Sequence, residues 1–347
     1  MLREKGAPMT RQEHITLAHG AGGQMTARLI REVFADAFHN ETLARLNDAA
    51  VLSLPHGEGR LAFSTDGHVV QPLFFPGGDI GELAVFGTVN DLAMMGARPL
   101  WLAASFIIEA GFPVADLRRV AESMARAAAR AGVQLVAGDT KVVEKGKADG
   151  LYISVAGVGW IPAGVTVEAG QASPGDVVLV NAPIAAHGMA VMLQREGLHL
   201  ESDLESDAAP LNEIVMALLD AAPHTHTLRD ATRGGLATVL HEIARAAGVG
   251  ILLREADVPV NPAAADACAL LGLDPLYVAN EGVFVAFVPP AEAEAALVAL
   301  HAHPLGRQAR AVGEVLAEPV GQVVLETRLG ARRLLPPLGG NLLPRIC

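Results

Sequence analysis

The chain has 347 residues and a formal net charge of −12, with 51% hydrophobic, 18% charged and only 4% aromatic side chains. That composition excludes a disordered or low-complexity chain, and the acidic balance, with no basic stripe to neutralise phosphates, excludes a nucleic-acid surface. Two domains are expected at this length, with cores built from Ala, Val, Leu and Ile rather than aromatic rings.

Cys268 and Cys347 make neither a disulfide framework nor a zinc site. Cys268 lies in the Ala-rich run Ala263 to Leu271 and reads as a small core residue. The stretch Met1 to Glu13 carries Arg3, Glu4, Lys5, Arg11 and Glu13 without an apolar region, so it does not read as a signal peptide. The most apolar part, Leu83 to Ile108, is interrupted by Asn90, Asp91 and Arg98 and is no membrane span. The expectation is a soluble cytoplasmic protein with neither membrane nor nucleic acid among its partners.

In chain order, His19-Gly20-Ala21-Gly22-Gly23 precedes an amphipathic run from Gln24 to Phe38, with Leu29, Ile30, Val33 and Phe34 on one face. A glycine-rich turn that opens a helix exposes backbone N–H groups able to hold an anion, and it serves equally well as a plain flexible turn. Strands are expected over Ala49–Leu54 and Leu61–Val70, with Asp48 just before the first and Asp66 inside the second. A helix follows over Ile80–Met95, with Asn90 and Asp91 near its C-terminal end, where the helix dipole disfavours a carboxylate. A strand over Leu100–Ile108, a helix over Pro113–Ala131 and strands over Val133–Val143 and Tyr152–Trp160 complete the first half. Asp139, Thr140 and Lys141 cluster behind Gly138 within them. The order predicts an α+β domain, with helices on one face of a largely antiparallel sheet.

The turn-rich stretch from Pro162 to Gly175 marks a boundary, giving domains over residues 1–165 and 166–335. The second half predicts a strand at Val177–Val180 and helices over His187–Glu196, Leu211–Ala221, Leu236–Ala247, Ala263–Leu271 and Ala291–His301. Strands at Ile251–Leu253 and Val283–Val288 fall between them. Arg229 to Gly235 caps the third of those helices, and Asn280-Glu281-Gly282 forms a turn before the last strand. From Pro336 onward, Pro337, Gly339, Gly340 and Pro344 break regular structure, so residues 336–347 read as a mobile arm with Cys347 at its tip. Fully extended, that arm reaches roughly 40 Å.

Asp48, Asp66, Asp91 and Asp230 each stand at the edge of an apolar element. Brought together they would repel one another, and Mg²⁺ with a nucleotide polyphosphate would offset the repulsion. Asp is also a common turn former and helix cap, and both readings stand. The sequence holds no GxxxxGK[ST] loop and no GxGxxG at dinucleotide-binding spacing, so any nucleotide site is of another kind.

His19 to Gly23, Thr65-Asp66 through Gly77-Gly78-Asp79, Gly87 to Ala97, Gly138 to Val143, Arg229 to Gly235, Ala279 to Gly282 and the ending Pro344-Arg345-Ile346-Cys347 together resemble the HypE family of hydrogenase maturation factors. That family lies in the aminoimidazole ribotide synthetase superfamily, and the likeness runs from about Ile15 to Cys347. The resemblance implies ATP and Mg²⁺ at the junction of two α+β domains, and a homodimer whose N-terminal sheets join into a barrel. It also implies ATP-dependent dehydration of an S-carboxamide on the terminal cysteine to a thiocyanate, as the source of cyanide for the iron of [NiFe]-hydrogenase. A HypF-type carbamoyltransferase would be the donor and a HypC–HypD complex the acceptor.

On that footing Asp48, Asp66, Asp91 and Asp230 are assigned to Mg²⁺. Cys347 is the carrier, Lys141 lies near the transferred phosphate, and Glu281 is the base or substrate-positioning group. Asn90, Thr140, Asp139, Arg229, Arg233, Gly22 and Gly23 are assigned to the nucleotide. One segment departs from the family pattern: Asn181 to Gly188 keeps only the closing His187-Gly188, and His187 is the one candidate taken from it. The alternatives are a selenophosphate synthetase or small-molecule kinase of the same superfamily, and a scaffold whose tail is a docking peptide. A selenophosphate synthetase would carry a reactive residue in the N-terminal glycine-rich segment, where this chain has no cysteine.

Overall fold

Along β1 (Gly59–His68) side chains alternate, so Ala62, Ser64, Asp66 and His68 face one way and Leu61, Phe63 and Thr65 the other. This computed structural model describes residues 14–16, 29–38, 58–198, 203–338 and 345–346. The expected strand at Ala49–Leu54 and the turn at His19–Gly23 lie outside them. Within the run from Gln24, Ile30–Ala35 is a π-helical turn, with Leu29, Val33 and Phe34 buried and Phe34 against Phe106 at 4.6 Å between ring centroids.

The hairpin of β2 (Phe74–Phe75) and β3 (Gly78–Asp79) leads into α1 (Ile80–Met94). β4 (Arg98–Glu109), α2 (Val114–Ala131), β5 (Gln134–Val143) and β6 (Leu151–Pro162) follow. The sheet has the order β1-β6-β4-β5, with β1–β6 and β6–β4 antiparallel. β4 and β5 run parallel because α2 carries the chain back across the sheet. Helices α1 and α2 cover one face. The opposite face is open, leaving Phe63 74% and Leu61 55% exposed.

The second half contains β7 (Val177–Val180), α3 (Ala186–Glu196), α4 (Asn212–Ala221), β8 (Thr227–Asp230), α5 (Gly235–Ala247), β9 (Gly250–Arg254) and α6 (Pro262–Leu271). β10 (Phe284–Val288), α7 (Ala293–Ala302), β11 (Arg310–Leu316), β12 (Val323–Glu326) and β13 (Arg332–Leu334) complete it. Its sheet runs β13-β12-β9-β11-β7-β10-β8, antiparallel except where β9 meets β12. Four of these strands, β8 and β11 to β13, go beyond the sequence expectations. β8 is four residues of mixed polarity and β13 is an exposed edge, so neither offers the apolar alternation that marks a strand.

Helix α1 joins the two halves. Of its 15 residues 13 are buried, the exceptions being Glu82 and Asp91. The sequence shows one apolar stripe, but small residues such as Gly81, Ala84, Gly87 and Ala93 let neighbours close on the other sides as well. A Cβ on Gly81 would lie 2.6 Å from Val120 O, so that glycine sets how closely α1 and α2 approach. Asp79 caps α1: its Oδ1 accepts from Gly81 N–H at 2.7 Å and Glu82 N–H at 3.2 Å, and from the Ser123 hydroxyl of α2 at 2.7 Å. At the far end of the chain, Leu335 is buried, its carbonyl accepting from His241 Nε2 at 3.0 Å, and Tyr277 Oη donates to Pro336 O at 2.6 Å.

Asp79→Ala removes the cap and leaves a buried Ser123 hydroxyl without its acceptor. It is expected to destabilise the fold by about 2–3 kcal/mol, read as a shift of the urea midpoint; a shift below about 0.5 kcal/mol would contradict the cap's role.

Candidate active site

The inward face of β1 presents Ser64, Asp66 and His68 to α1. They come close because α1 has a glycine there: a Cβ on Gly87 would lie 2.9 Å from His68 Cε1 and 3.2 Å from Asp66 Oδ2. One turn further, Asp91 reaches the same place, and Ser64 Oγ donates to its Oδ2 at 2.8 Å. His68 is buried, with Nε2 3.5 Å from Asp66 Oδ2. The second half contributes Asp230 from the end of β8 and Glu281 from the turn before β10. Together with Arg229 and Arg233, these residues line a cavity of about 760 Å³ at the seam.

The Glu281 turn is fixed by its neighbours rather than by its own sequence. Glu281 N–H donates to Asp207 Oδ1 at 2.8 Å, and Asn280 Nδ2 donates to Ala231 O at 2.7 Å. Asn90 Nδ2 donates to Glu281 O at 3.2 Å and to Ala209 O at 3.1 Å, while its Oδ1 accepts from Leu211 N–H at 2.8 Å. Asn90 was expected to touch the nucleotide; its amide is instead committed to the backbone of the second half, which it ties to α1.

Burial and like charge act together here. Burial, then the Asp91 charge, pushes Asp230 up to about 7. Burial also holds Glu281 well above the carboxylate range, with Asp230, Asp207, Asp66 and Asp91 adding to it. Asp91 is raised by burial, against the Ser64 hydrogen bond. Asp207, pushed up to about 7 by burial, keeps its Oδ2 sealed without a hydrogen-bond partner. Among the described residues no three His, Cys, Asp or Glu side chains form a ready metal cage. The oxygens of Asp66, Asp91 and Asp230 nonetheless give one cavity several hard anionic donors, which suits a cation that keeps water and phosphate among its ligands.

The sequence candidates divide accordingly. Asp66, Asp91, Asp230, Glu281, Arg229 and Arg233 meet at the cavity. Gly22, Gly23, Asp48 and Cys347 lie outside the described residues. Asp139 and Lys141 pair with each other at 2.8 Å, and Lys141 is 68% exposed. Lys141, expected near the transferred phosphate, does not line this cavity within one chain. Its register opposite the exposed Ile107 puts it on the open face of the sheet, whereas Asp66 faces the helices. Thr140, whose N–H donates to Asp139 Oδ1, also lies away from the cavity lining. Ser64 and His68 were missed, although their spacing of two from Asp66 places them on its face. Asp207 had no signal, since it sits in an irregular segment.

His187 is buried on α3 behind Glu281's loop, between Ser206 and Ile346. The residue two before it, Ala185, holds a left-handed conformation, φ 78°, in the segment that departs from the family pattern.

Residues 46–161 match the family "AIR synthase related protein, N-terminal domain", and residues 173–326 match "AIR synthase related protein, C-terminal domain". The carbamoyl dehydratase HypE of Cupriavidus necator is 52% identical over 333 residues, covering 96% of this chain and 95% of the relative. A crystal structure of the hydrogenase maturation protein HypE in complex with ATP superposes with a TM-score of 0.92 at 46% identity, covering 96% of this chain and 99% of that one. The HypE of a HypE–HypF complex gives 0.79 at 47% identity, covering 89% and 99%. With both halves matched and the likeness running nearly end to end, the chain belongs to the HypE family within the AIR synthase-related proteins.

Proposed function

We propose that this chain uses ATP to dehydrate an S-carboxamide carried on Cys347 to an S-thiocyanate, supplying the cyanide ligand for the iron of [NiFe]-hydrogenase. The observation that carries the reading is the meeting of Asp66, Asp91, Asp230 and Glu281 with two arginines around one cavity. The carbamoyl dehydratase activity named for the relative, and the ATP named in the related structure, support it.

In R–S–C(=O)–NH₂ the oxygen leaves only after it is activated. Transfer of the γ-phosphoryl group to that oxygen, with loss of one N–H proton, gives R–S–C(=NH)–O–phosphate and ADP. Loss of the second N–H proton with departure of phosphate closes the C≡N bond. Positioning and charge neutralisation dominate such a transfer. Asp66, Asp91 and Asp230, joined by Asp48, would hold Mg²⁺, which neutralises phosphate charge and orients the transfer. Arg229 and Arg233 face the polyphosphate, with Gly22 and Gly23 as further contacts. Glu281 accepts the N–H proton, since a carboxylate with raised proton affinity is the stronger base once ionised.

The open face of the first sheet, with Phe63 and Leu61 exposed, is assigned to a second copy. A HypF-type carbamoyltransferase is assigned as the donor, in line with the HypE–HypF complex of a relative, and a HypC–HypD complex as the acceptor. Among the described residues no helix is long and apolar enough to cross a membrane.

Cys347→Ala is expected to bind ATP as wild type does and to lose all carbamoyl and cyano mass on the intact protein. Retained hydrogenase maturation by this variant would end the carrier role. Asp230→Asn should cut ATP turnover by about 100-fold, yet stabilise the protein without metal or nucleotide. The sign follows from the folded value of about 7 against an unfolded value near 4: the ionised group destabilises the fold, by an amount that grows as pH rises between those values. Thermal melts should therefore show the variant above wild type at pH 8 and level with it near pH 4; a lower melting point at pH 8 would refute the electrostatic reading. Phe63→Asp should shift sedimentation from dimer to monomer, whereas a monomeric wild type at every practical concentration would remove the second copy.

A further inference from the structure

Glu281 lines the cavity from the turn Asn280–Gly282, whose backbone is held from three other segments of the chain. Asn90 Nδ2, on α1, donates to Glu281 O at 3.2 Å. Asn181 Nδ2, just past β7, donates to Gly282 O at 3.0 Å, and its Oδ1 accepts from Phe284 N–H at 2.8 Å. Both of these clamps are neutral amides. The third is a carboxyl group: Glu281 N–H donates to Asp207 Oδ1 at 2.8 Å.

A carboxyl group is a costly choice there. Asp207 Oδ2 is sealed without a hydrogen-bond partner, and burial pushes the group up to about 7 against the pull of the Glu281, Asp207 and Gly282 N–H groups. Asp207 also adds to the negative charge around Glu281. An apolar residue would spare both costs but leave the Glu281 N–H without an acceptor. The loop that carries Asp207 is itself fixed against the first half. Ser206 N–H donates to Pro76 O at 2.9 Å, beside Gly77, where a Cβ would lie 2.6 Å from Ser206 N. Ala209 O accepts from Asn90 Nδ2 at 3.1 Å. A Cβ on Gly282 would run into Asp207 O, so loop and turn meet backbone to backbone. The place of Glu281 is thereby referred to the β2–β3 hairpin and to α1, the helix that carries Asp91.

We propose that Asp207 is a positioning residue for the dehydration: it holds the Glu281 N–H from outside the cavity and so fixes the direction in which the Glu281 carboxylate meets the carboxamide. The inference rests on the reading of Glu281 as the group that accepts the N–H proton. Asp207 touches no reacting atom. What it sets is aim, and a reacting group misplaced by about 1 Å loses roughly 100-fold in rate.

The test uses the full chain loaded with its carbamoyl group, with thiocyanate formation followed by intact mass in a single turnover after ATP is added. Asp207→Ala should slow conversion by about 30-fold or more while ATP affinity stays within about two-fold, a loss of rate without a loss of binding. Asp207→Asn keeps an oxygen for the Glu281 N–H and should recover conversion to within about five-fold of wild type. Asp207→Ser takes the place of Asp207→Ala if thermal melts show the latter unfolded. Without nucleotide or carbamoyl group, hydrogen–deuterium exchange at Asn280–Gly282 should be about ten-fold faster in Asp207→Ala, with α1 unchanged. Wild-type conversion by Asp207→Ala, unchanged exchange at the turn, or equal losses in the Ala and Asn variants overturns the positioning role. A wild type that forms no thiocyanate defeats the dehydratase reading, and the role in dehydration with it; exchange at the turn then reports separately on whether Asp207 holds Glu281.

Discussion

Crowding of negative charge at the seam is the constraint to which the rest of the structure answers. Burial raises the proton affinity of Asp91, Asp230 and Glu281, and the charge of Asp66 beside them adds to each. Asp91 has the further handicap of the last turn of α1, where the helix dipole opposes it and no basic residue accompanies it. Such an arrangement destabilises the protein by itself, as groups gathered for binding or catalysis commonly do.

A site under mutual repulsion needs a rigid frame. Helix α1 provides it by being buried against both halves, capped by Asp79 and locked to α2 through Ser123. Glycine at position 87 lets β1 bring Asp66 against the helix, and Asn90, beside Asp91, holds the backbone of Glu281. The same turn of α1 therefore carries one member of the acidic set and fixes another that lies 190 residues further along the chain. Coupling through backbone carbonyls suits this task, because the bonds from Asn90 draw on none of the carboxylates.

The C-terminal arm is anchored differently at its two ends. At its root, Tyr277 and His241 grip carbonyls of Leu335 and Pro336 beside a buried leucine, next to the last strand of the second sheet. At its tip, the contacts are backbone hydrogen bonds and one exposed ion pair around a single buried isoleucine.

By itself the sequence determined the α+β class, most helices of both halves and the candidates Asp66, Asp91, Asp230, Glu281, Arg229 and Arg233 that meet at the cavity. Periodicity and turn residues are local signals, and the acidic motifs lie at element edges where they can be read without a partner. Tertiary structure alone decided which of the candidates meet. Lys141 and Asp139 stand in an acidic and basic cluster like the others, yet strand register puts them on the opposite face of the sheet from Asp66. Asn90 reads as a ligand beside Asp91, but helical geometry turns it 100° away, onto the second half. Asp207, Ser206 and Arg195 carried no pattern at all. Their roles arise from hydrogen bonds to Glu281, His187 and Arg345, residues 74, 19 and 150 positions away, and no local property of a chain encodes contacts at such separations.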